Sequence, residues 1–532
     1  MTRLAYAVLS ISRSTRLNRL ERLRAIADRV PMIPLATGLV ALLGLWIISP
    51  RFSLAGPSLT DDWQAIQLGT SLRTPETLFH PVGLRFRPGW ELWNTVQWHT
   101  LDGPAGLIGP NLWDVVRLSV LVVGLAALTA LLLERRGAGV SRLELTLLIV
   151  LPPAAVLAVP DFAVDLARFG PQEPLLVGCM ALGATLLVRG ARRLGRQGVG
   201  RAHQGTALLL AAGYALWTAG AYQKEVSVCA LVIVPFLVMG ERGAVIHWLR
   251  RPKRRADLAL AALIVASALP LLHVAAESAY IATQGTLVYG AELEAGSGAL
   301  GTLKAVAALG ALDSLLGLVL LLTSAIVIGI GLGRRRPDWL VLGVFATALA
   351  TIAWSAQVGV LQGRYLMPAV ALLAITVSLS LARTGRRRRL EVLAMLGVFV
   401  AVWPYSGHRG VERWVTTEAA GVRLVQTVSR LQTTGCPVVV TGLDWERGDA
   451  LPVLVGLEGG AVSGGCAKGE AYLVVGPVAP DQALTSLCGR SPSTVGTWQL
   501  EGELVHGFHC RGLGPSALAA FARRSMKVSS RA

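Results

Sequence analysis

Two adjacent aspartates, Asp61 and Asp62 in "LTDDWQA", follow closely on an apolar run over residues 32–49. A carboxylate beyond the end of such a run can take a proton from a hydroxyl as general base. "LTDDW" is equally a good helix start, where an aspartate caps free backbone N–H groups. Neighbouring helix residues point about 100° apart, so one carboxylate would face a ligand while the other caps a helix or pairs with a base. Cations recur in later stretches: Arg85 and Arg87 in "RFRPGWELWN", Arg168 in "PDFAVDLARFGPQEP", Lys224 in "AYQKEVS" and Arg364 in "LQGRYLMP". Guanidinium and ammonium groups in such a set suit a phosphate or diphosphate clamp. Glu173, Glu225 and Tyr365 lie in the same stretches. The bland reading of Lys224–Glu225 is a lysine reaching to the membrane interface beside a local partner. Together these groups suit one reaction: a sugar carried on a lipid phosphate passes to a hydroxyl, a carboxylate takes the proton, and the cations stabilise the departing phosphate.

The elements that must position these residues are membrane spans. The chain of 532 residues is 53% hydrophobic and only 15% charged, with mean hydropathy +0.56. A soluble domain is nearer a quarter charged. Apolar runs are read at 32–49, 114–133, 143–160, 174–188, 206–222, 226–240, 257–273, 306–332, 338–358, 366–382 and 390–404. Each approaches the length of a membrane helix, which gives about eleven spans. The fold class expected is an all-α polytopic membrane protein with a small C-terminal exported α/β domain.

With the N-terminus inside, every clearly basic connection falls on the cytoplasmic side: the arm from Arg13 to Arg29, "ERRGAGVSR", "RGARRLGRQGVGR", "RRPKRR", "GRRRPD" and "ARTGRRRR". That distribution obeys the positive-inside rule and assigns the net charge of +18 to the anionic inner leaflet, with no nucleic-acid partner. The division expected is a basic amphipathic arm over 1–31, a transmembrane domain over 32–404 with a large first outer loop at 50–113, and an exported domain over 405–532. Trp63, Trp90, Trp93, Trp98 and Trp113 give that loop the aromatic density of an interfacial surface. In the tail, "PVVVTG" and "AYLVVG" read as buried strands and "EAAGVRLVQTVSRLQ" as an amphipathic helix. Its cysteines, Cys436, Cys466, Cys488 and Cys510, predict two disulfides in one of three connectivities. Zinc is the competitor, without the usual ligand spacing.

The same stretches resemble the GT-C superfamily of integral-membrane glycosyltransferases over about 32–404. "TDDW" resembles the acidic signature of its first outer loop. "RFRPGWELWN" is similar to the "YRPL" stretch of protein O-mannosyltransferase-related (family 39-like) members, and "YQKEVSVCALVIVP" to their "SKE" stretch. "QGRYLMPA" is similar to an Arg-Tyr-Pro motif before a late span, and "FGPQEPL" to a glutamate motif. Many members carry Asp-Glu where this chain has Asp61-Asp62. The resemblance implies a polyprenyl-phosphate sugar donor, inverting displacement, Asp61 as base with Asp62 orienting it or the acceptor, and donor-phosphate contacts from Lys224, Arg364 and Arg87. Arg85 and Arg168 join that set as cations at outer span ends. Glu173, Glu225 and Tyr365 fall to acceptor contact or positioning. It implies a bacterial-type plasma membrane and a glycan, lipid or protein acceptor. No required cofactor is evident; some members use a divalent metal, and no ligand spacing here demands one. A lipid-linked glycan polymerase or ligase would rely on a large late loop instead. A transporter or flippase would place ionisable groups mid-span or show repeats.

Overall fold

The structure is a computed structural model that describes residues 32–54, 86–100, 112–134, 140–168, 172–197, 204–233, 255–283, 316–333, 338–357, 363–443, 450–452, 454–455, 466–476, 488, 492–500 and 503–524. Its helices are α1 (Met32–Ile48), α2 (Pro88–Thr100), α3 (Leu112–Leu133), α4 (Arg142–Leu157), α5 (Pro160–Ala167), α6 (Glu173–Gln197) and α7 (Gln204–Ala221). They continue as α8 (Arg255–Thr283), α9 (Leu316–Gly333), α10 (Trp339–Gln357), α11 (Met367–Leu381), α12 (Arg386–Thr433) and α13 (Pro515–Arg524).

Every expected span except 226–240 holds an α-helix. That window starts as a 3-10 helix, Glu225–Val232, and runs on outside the described residues. Among the described residues, four helices are long and apolar enough to cross a membrane alone, or five if α4 and α5, bent by 75° to each other, count as one span. Four shorter apolar helices accompany them. The bend explains why the third expected span is short: the chain extends at Val159, and Pro160 starts α5 as its first residue. The stretch "PDFAVDLA", running from the end of the third expected span toward the fourth, is therefore a helix.

Apolar stripes remain on the outside of the bundle. Leu35, Leu39, Leu42 and Trp46 of α1 follow a helical repeat and are all exposed, as are Val398 and Val402 of α12. Contiguous exposed apolar surface of this kind needs lipid around it. The reverse holds for α11, which has only 15 residues, all of them buried except the half-buried Leu372; it packs against α4, α9 and α10 at the centre. Small residues let α6 lie close between α3 and α7. A side chain at Gly178 would meet the backbone of Val120 and Leu121 at 2.7 Å, and one at Gly213 would meet Leu187 N at 2.8 Å. Without a hydrophobic drive between helices in lipid, such close backbone approach carries much of the packing.

The tail is an α/β unit, and the boundary expected at 404/405 falls inside a helix. α12 runs unbroken from the basic "RRRR" through Pro404 to Thr433, so the last span and the amphipathic helix of the tail are one element. Proline removes one helix bond but need not end a helix held on both sides. Strands β1 (Val438–Thr441), β2 (Ala471–Val475), β3 (Ser493–Leu500) and β4 (Glu503–Cys510) form one sheet in the order β1-β2-β4-β3. β1 and β2 are parallel; the other pairs are antiparallel. Leu424, Val425 and Val428 of α12 pack with Val438, Val474 and Trp498 on one face. Val439, Leu473 and Val475 point to the other. The disulfides join Cys436 to Cys466 and Cys488 to Cys510, with Cα atoms 4.7 and 5.0 Å apart.

Candidate active site

Among the described residues, four stretches well separated in sequence meet at one place. The first is Phe86-Arg87-Pro88-Gly89. Phe86 is buried against Val274 and Ile281 of α8 and makes edge contacts with Tyr222 and His273. Tyr222 in turn hydrogen-bonds His273 Nδ1 through its hydroxyl at 2.9 Å. Gly89 donates its N–H to Tyr222 O at 3.0 Å. Only glycine fits there, since a side chain would meet the Tyr222 carbonyl carbon at 2.8 Å. These contacts fix Arg87 opposite Glu225. The guanidinium grips both carboxylate oxygens, Nε at 2.9 and 3.0 Å and Nη2 at 2.9 Å. Glu225 lies between spans. Burial pushes its carboxyl up, but the charge and hydrogen bonds of Arg87 outweigh this and hold it below the usual range.

The second meeting joins Lys224 to Glu173. Glu173 opens α6, where the helix dipole favours a carboxylate, and one oxygen accepts the N–H of Gln172. The other receives the Lys224 ammonium. Both residues are buried, at 4% and 1% exposure. The ammonium also lies 3.4 Å from the centre of the Tyr365 ring, a cation–π contact strengthened by exclusion of water. Tyr365 comes from the 3-10 helix Gly363–Leu366, tied by its carbonyl to Ser355 of α10. Neighbouring Lys224 and Glu225 thus pair with partners far away in the chain rather than with each other. Each buried charge has an opposite charge against it, which a buried ion requires.

Sequence reasoning missed one partner. Arg117, wholly buried, donates to Asp114 at 2.7 Å, to Leu166 O at 3.0 Å and to Arg168 O. It closes the carboxyl end of α5, where helix carbonyls lack partners. A lone arginine inside an otherwise apolar span was the signal available. The Arg168 guanidinium lies 5.8 Å over the Trp414 ring of α12. Asp61, Asp62, Arg85 and the Arg364 side chain lie outside the described residues. Among the described residues, no group of three His, Cys, Asp or Glu side chains is placed to hold a metal ion.

This arrangement presents fixed cations beside carboxylates at the end of an apolar bundle, a setting able to stabilise charge on a phosphate. No protein-family profile matches the sequence, and no curated protein matches it. Solved structures match in fold. The crystal structure of ArnT from Cupriavidus metallidurans in the apo state is similar with a TM-score of 0.50 and 14% identity, over 90% of this chain and 99% of that one. The structure of the same protein bound to undecaprenyl phosphate gives 0.51 and 14%, over 90% and 98%. The chain therefore shares the fold of that protein along most of its length.

Proposed function

We propose that the chain is a membrane glycosyltransferase that moves a sugar from a polyprenyl phosphate to an acceptor hydroxyl at the outer face of a bacterial plasma membrane. The observation that carries this reading is the cluster of Arg87, Lys224 and Tyr365, built from stretches distant in sequence, within a fold shared with ArnT. That protein is a GT-C glycosyltransferase and has been seen with undecaprenyl phosphate. The finer placement among O-mannosyltransferase-related members rests on the sequence stretches alone. The disulfide-bonded tail fits an oxidising compartment, hence an exported C-terminal domain.

In the proposed reaction Asp61 takes the proton of the acceptor hydroxyl, and Asp62 orients it. The oxygen attacks the anomeric carbon from the face opposite the phosphate. The bond from that carbon to the phosphate oxygen breaks, and the polyprenyl phosphate leaves with the electron pair. Arg87, Lys224 and Arg364 stabilise the charge that develops on it, with Arg85 and Arg168 as outlying cations. Glu225 and Glu173 hold Arg87 and Lys224 in place, so that little reorganisation accompanies the reaction. Tyr365 shields and orients the Lys224 ammonium.

The test is transfer by the purified protein from a panel of polyprenyl-phosphate sugars to envelope acceptors, read by mass spectrometry. Asp61→Asn should lower turnover by about 10²- to 10⁴-fold, the range for loss of a general base, with an unchanged melting curve. Equal transfer by both proteins would leave Asp61 as a helix cap.

A further inference from the structure

Helix α2 is built inside out. Glu91, Asn94 and Gln97 recur along its buried face at 4%, 0% and 0% exposure, while Leu92 and Val96 on other faces are exposed. A helix packed on a protein interior normally shows the opposite pattern. The exposed side fits lipid or interface; the polar side needs polar company within. Glu91 has it. Asn94 and Gln97 do not: both atoms of each amide are buried and find no hydrogen-bond partner among the described residues. Turning either amide over changes nothing, because the nitrogen and the oxygen are orphaned alike. Leaving such groups unpaired is costly, and native interiors seldom do so.

The missing company must both donate and accept hydrogen bonds. A phosphate dianion only accepts and an ammonium only donates. A hydroxyl does both, and two amides one helical turn apart match a row of hydroxyls. The place is also informative. α2 starts at the Arg87 anchor, and a rise of about 1.5 Å per residue sets Asn94 about 10 Å along the axis from it. Two further buried amides flank the other cation: Gln223 precedes Lys224 and Gln172 precedes Glu173, each with its Oε1 unpartnered. We infer that Asn94 and Gln97 form a sugar-binding stripe, which holds hydroxyls of the glycosyl group on the lipid-linked donor while the cations hold its phosphate. This inference rests on the glycosyltransferase reading and adds to it the residues that recognise the sugar.

The experiment uses the full chain in nanodiscs and measures affinity for undecaprenyl phosphate and for a panel of undecaprenyl-phosphate hexoses and pentoses. The parent should bind at least one glycosylated lipid more tightly than the bare phosphate. Asn94→Leu and Gln97→Met should each reduce that affinity by about tenfold, the scale of one or two lost hydrogen bonds. Affinity for bare undecaprenyl phosphate should stay within about twofold, and the melting temperature should hold or rise, since both changes remove buried orphaned amides. Gln97→Glu keeps the shape and the acceptors but loses the donor, and should weaken the same lipid should the apolar variants fold poorly. Variants that keep the parent's preference for the glycosylated lipid would overturn the inference and leave the amides to water. So would a parent that binds bare and glycosylated lipids equally. A parent that binds no polyprenyl phosphate at all would instead sink the glycosyltransferase reading itself.

Discussion

The two ends of the bundle carry similar charges in opposite conditions. At the site end, Arg87–Glu225 and Lys224–Glu173 join residues far apart in the chain, and three of the four side chains are at most 5% exposed. At the basic end, Arg383 reaches Asp338 at 3.1 Å while itself 52% exposed. Arg386 reaches Glu144 with 78% exposure, and Arg387–Glu391 is exposed on both sides. One buried contact interrupts the pattern there, Arg389 against Glu144 at 3.7 Å, which ties the start of α12 to the capped start of α4. The difference teaches what each set is for. Exposed ion pairs contribute little to stability, so the basic end needs only the charge that the expected topology turns toward the anionic leaflet. Buried pairs cost desolvation and seldom improve on apolar packing. Their presence at the site end therefore calls for a task other than stability, and the proposed function supplies one: fixing cations for an anionic ligand.

The widest gap between the ends should appear on removing one partner. Lys224→Met leaves Glu173 buried without its cation, a loss of about 3–5 kcal/mol, together with donor binding. Arg383→Met at the other end should cost under about 1 kcal/mol. The comparison sharpens with Lys224→Met/Glu173→Gln, which removes both charges. Melting should recover toward the parent, but affinity for undecaprenyl phosphate should not. Recovery of both would reduce Lys224 to a structural residue.

Arg87→Lys probes geometry at constant charge. Arginine meets Glu225 through a two-pronged contact that an ammonium cannot reproduce. A loss of about 1.5–3 kcal/mol, the scale of one charge-assisted hydrogen bond, is expected in thermal unfolding, with weaker donor binding. An unchanged protein would mean that charge alone matters at this position.

How much of this could be read from the sequence follows from the range of each interaction. Spans and basic connections are local patterns, so helices appear where apolar runs predict them. The run of α12 through Pro404 was not legible, because a proline inside an apolar segment is compatible with a stop or with a continued helix. For the site, residue type pointed to Arg87, Lys224, Glu173, Glu225 and Tyr365, but not to who meets whom. Adjacent Lys224 and Glu225 suggest one local pair; the extended backbone at Lys224 sends their side chains to Glu173 and Arg87 instead. Asn94 and Gln97 carried no signal at all, since polar residues on a short interfacial helix look like its wet face. Only burial shows that the helix is turned the other way.

The smallest effect is expected at Arg387 and Glu391, one helical turn apart at the start of α12 with side chains 94% and 58% exposed. Solvent screens such a pair, and holding two long side chains together costs entropy. Arg387→Ala and Glu391→Ala, alone or together, should leave the melting curve and donor affinity at parental values, and raising the salt concentration should change nothing further. The contact spacing and distance, 2.9 Å, match those of a good helical pair, and the Arg87 contact at the site end has the same length. A measurable loss here would break the comparison, for it would mean that pair length rather than burial decides what these charges do. Parental behaviour here beside a damaged Lys224→Met protein would instead place the difference between the ends in desolvation.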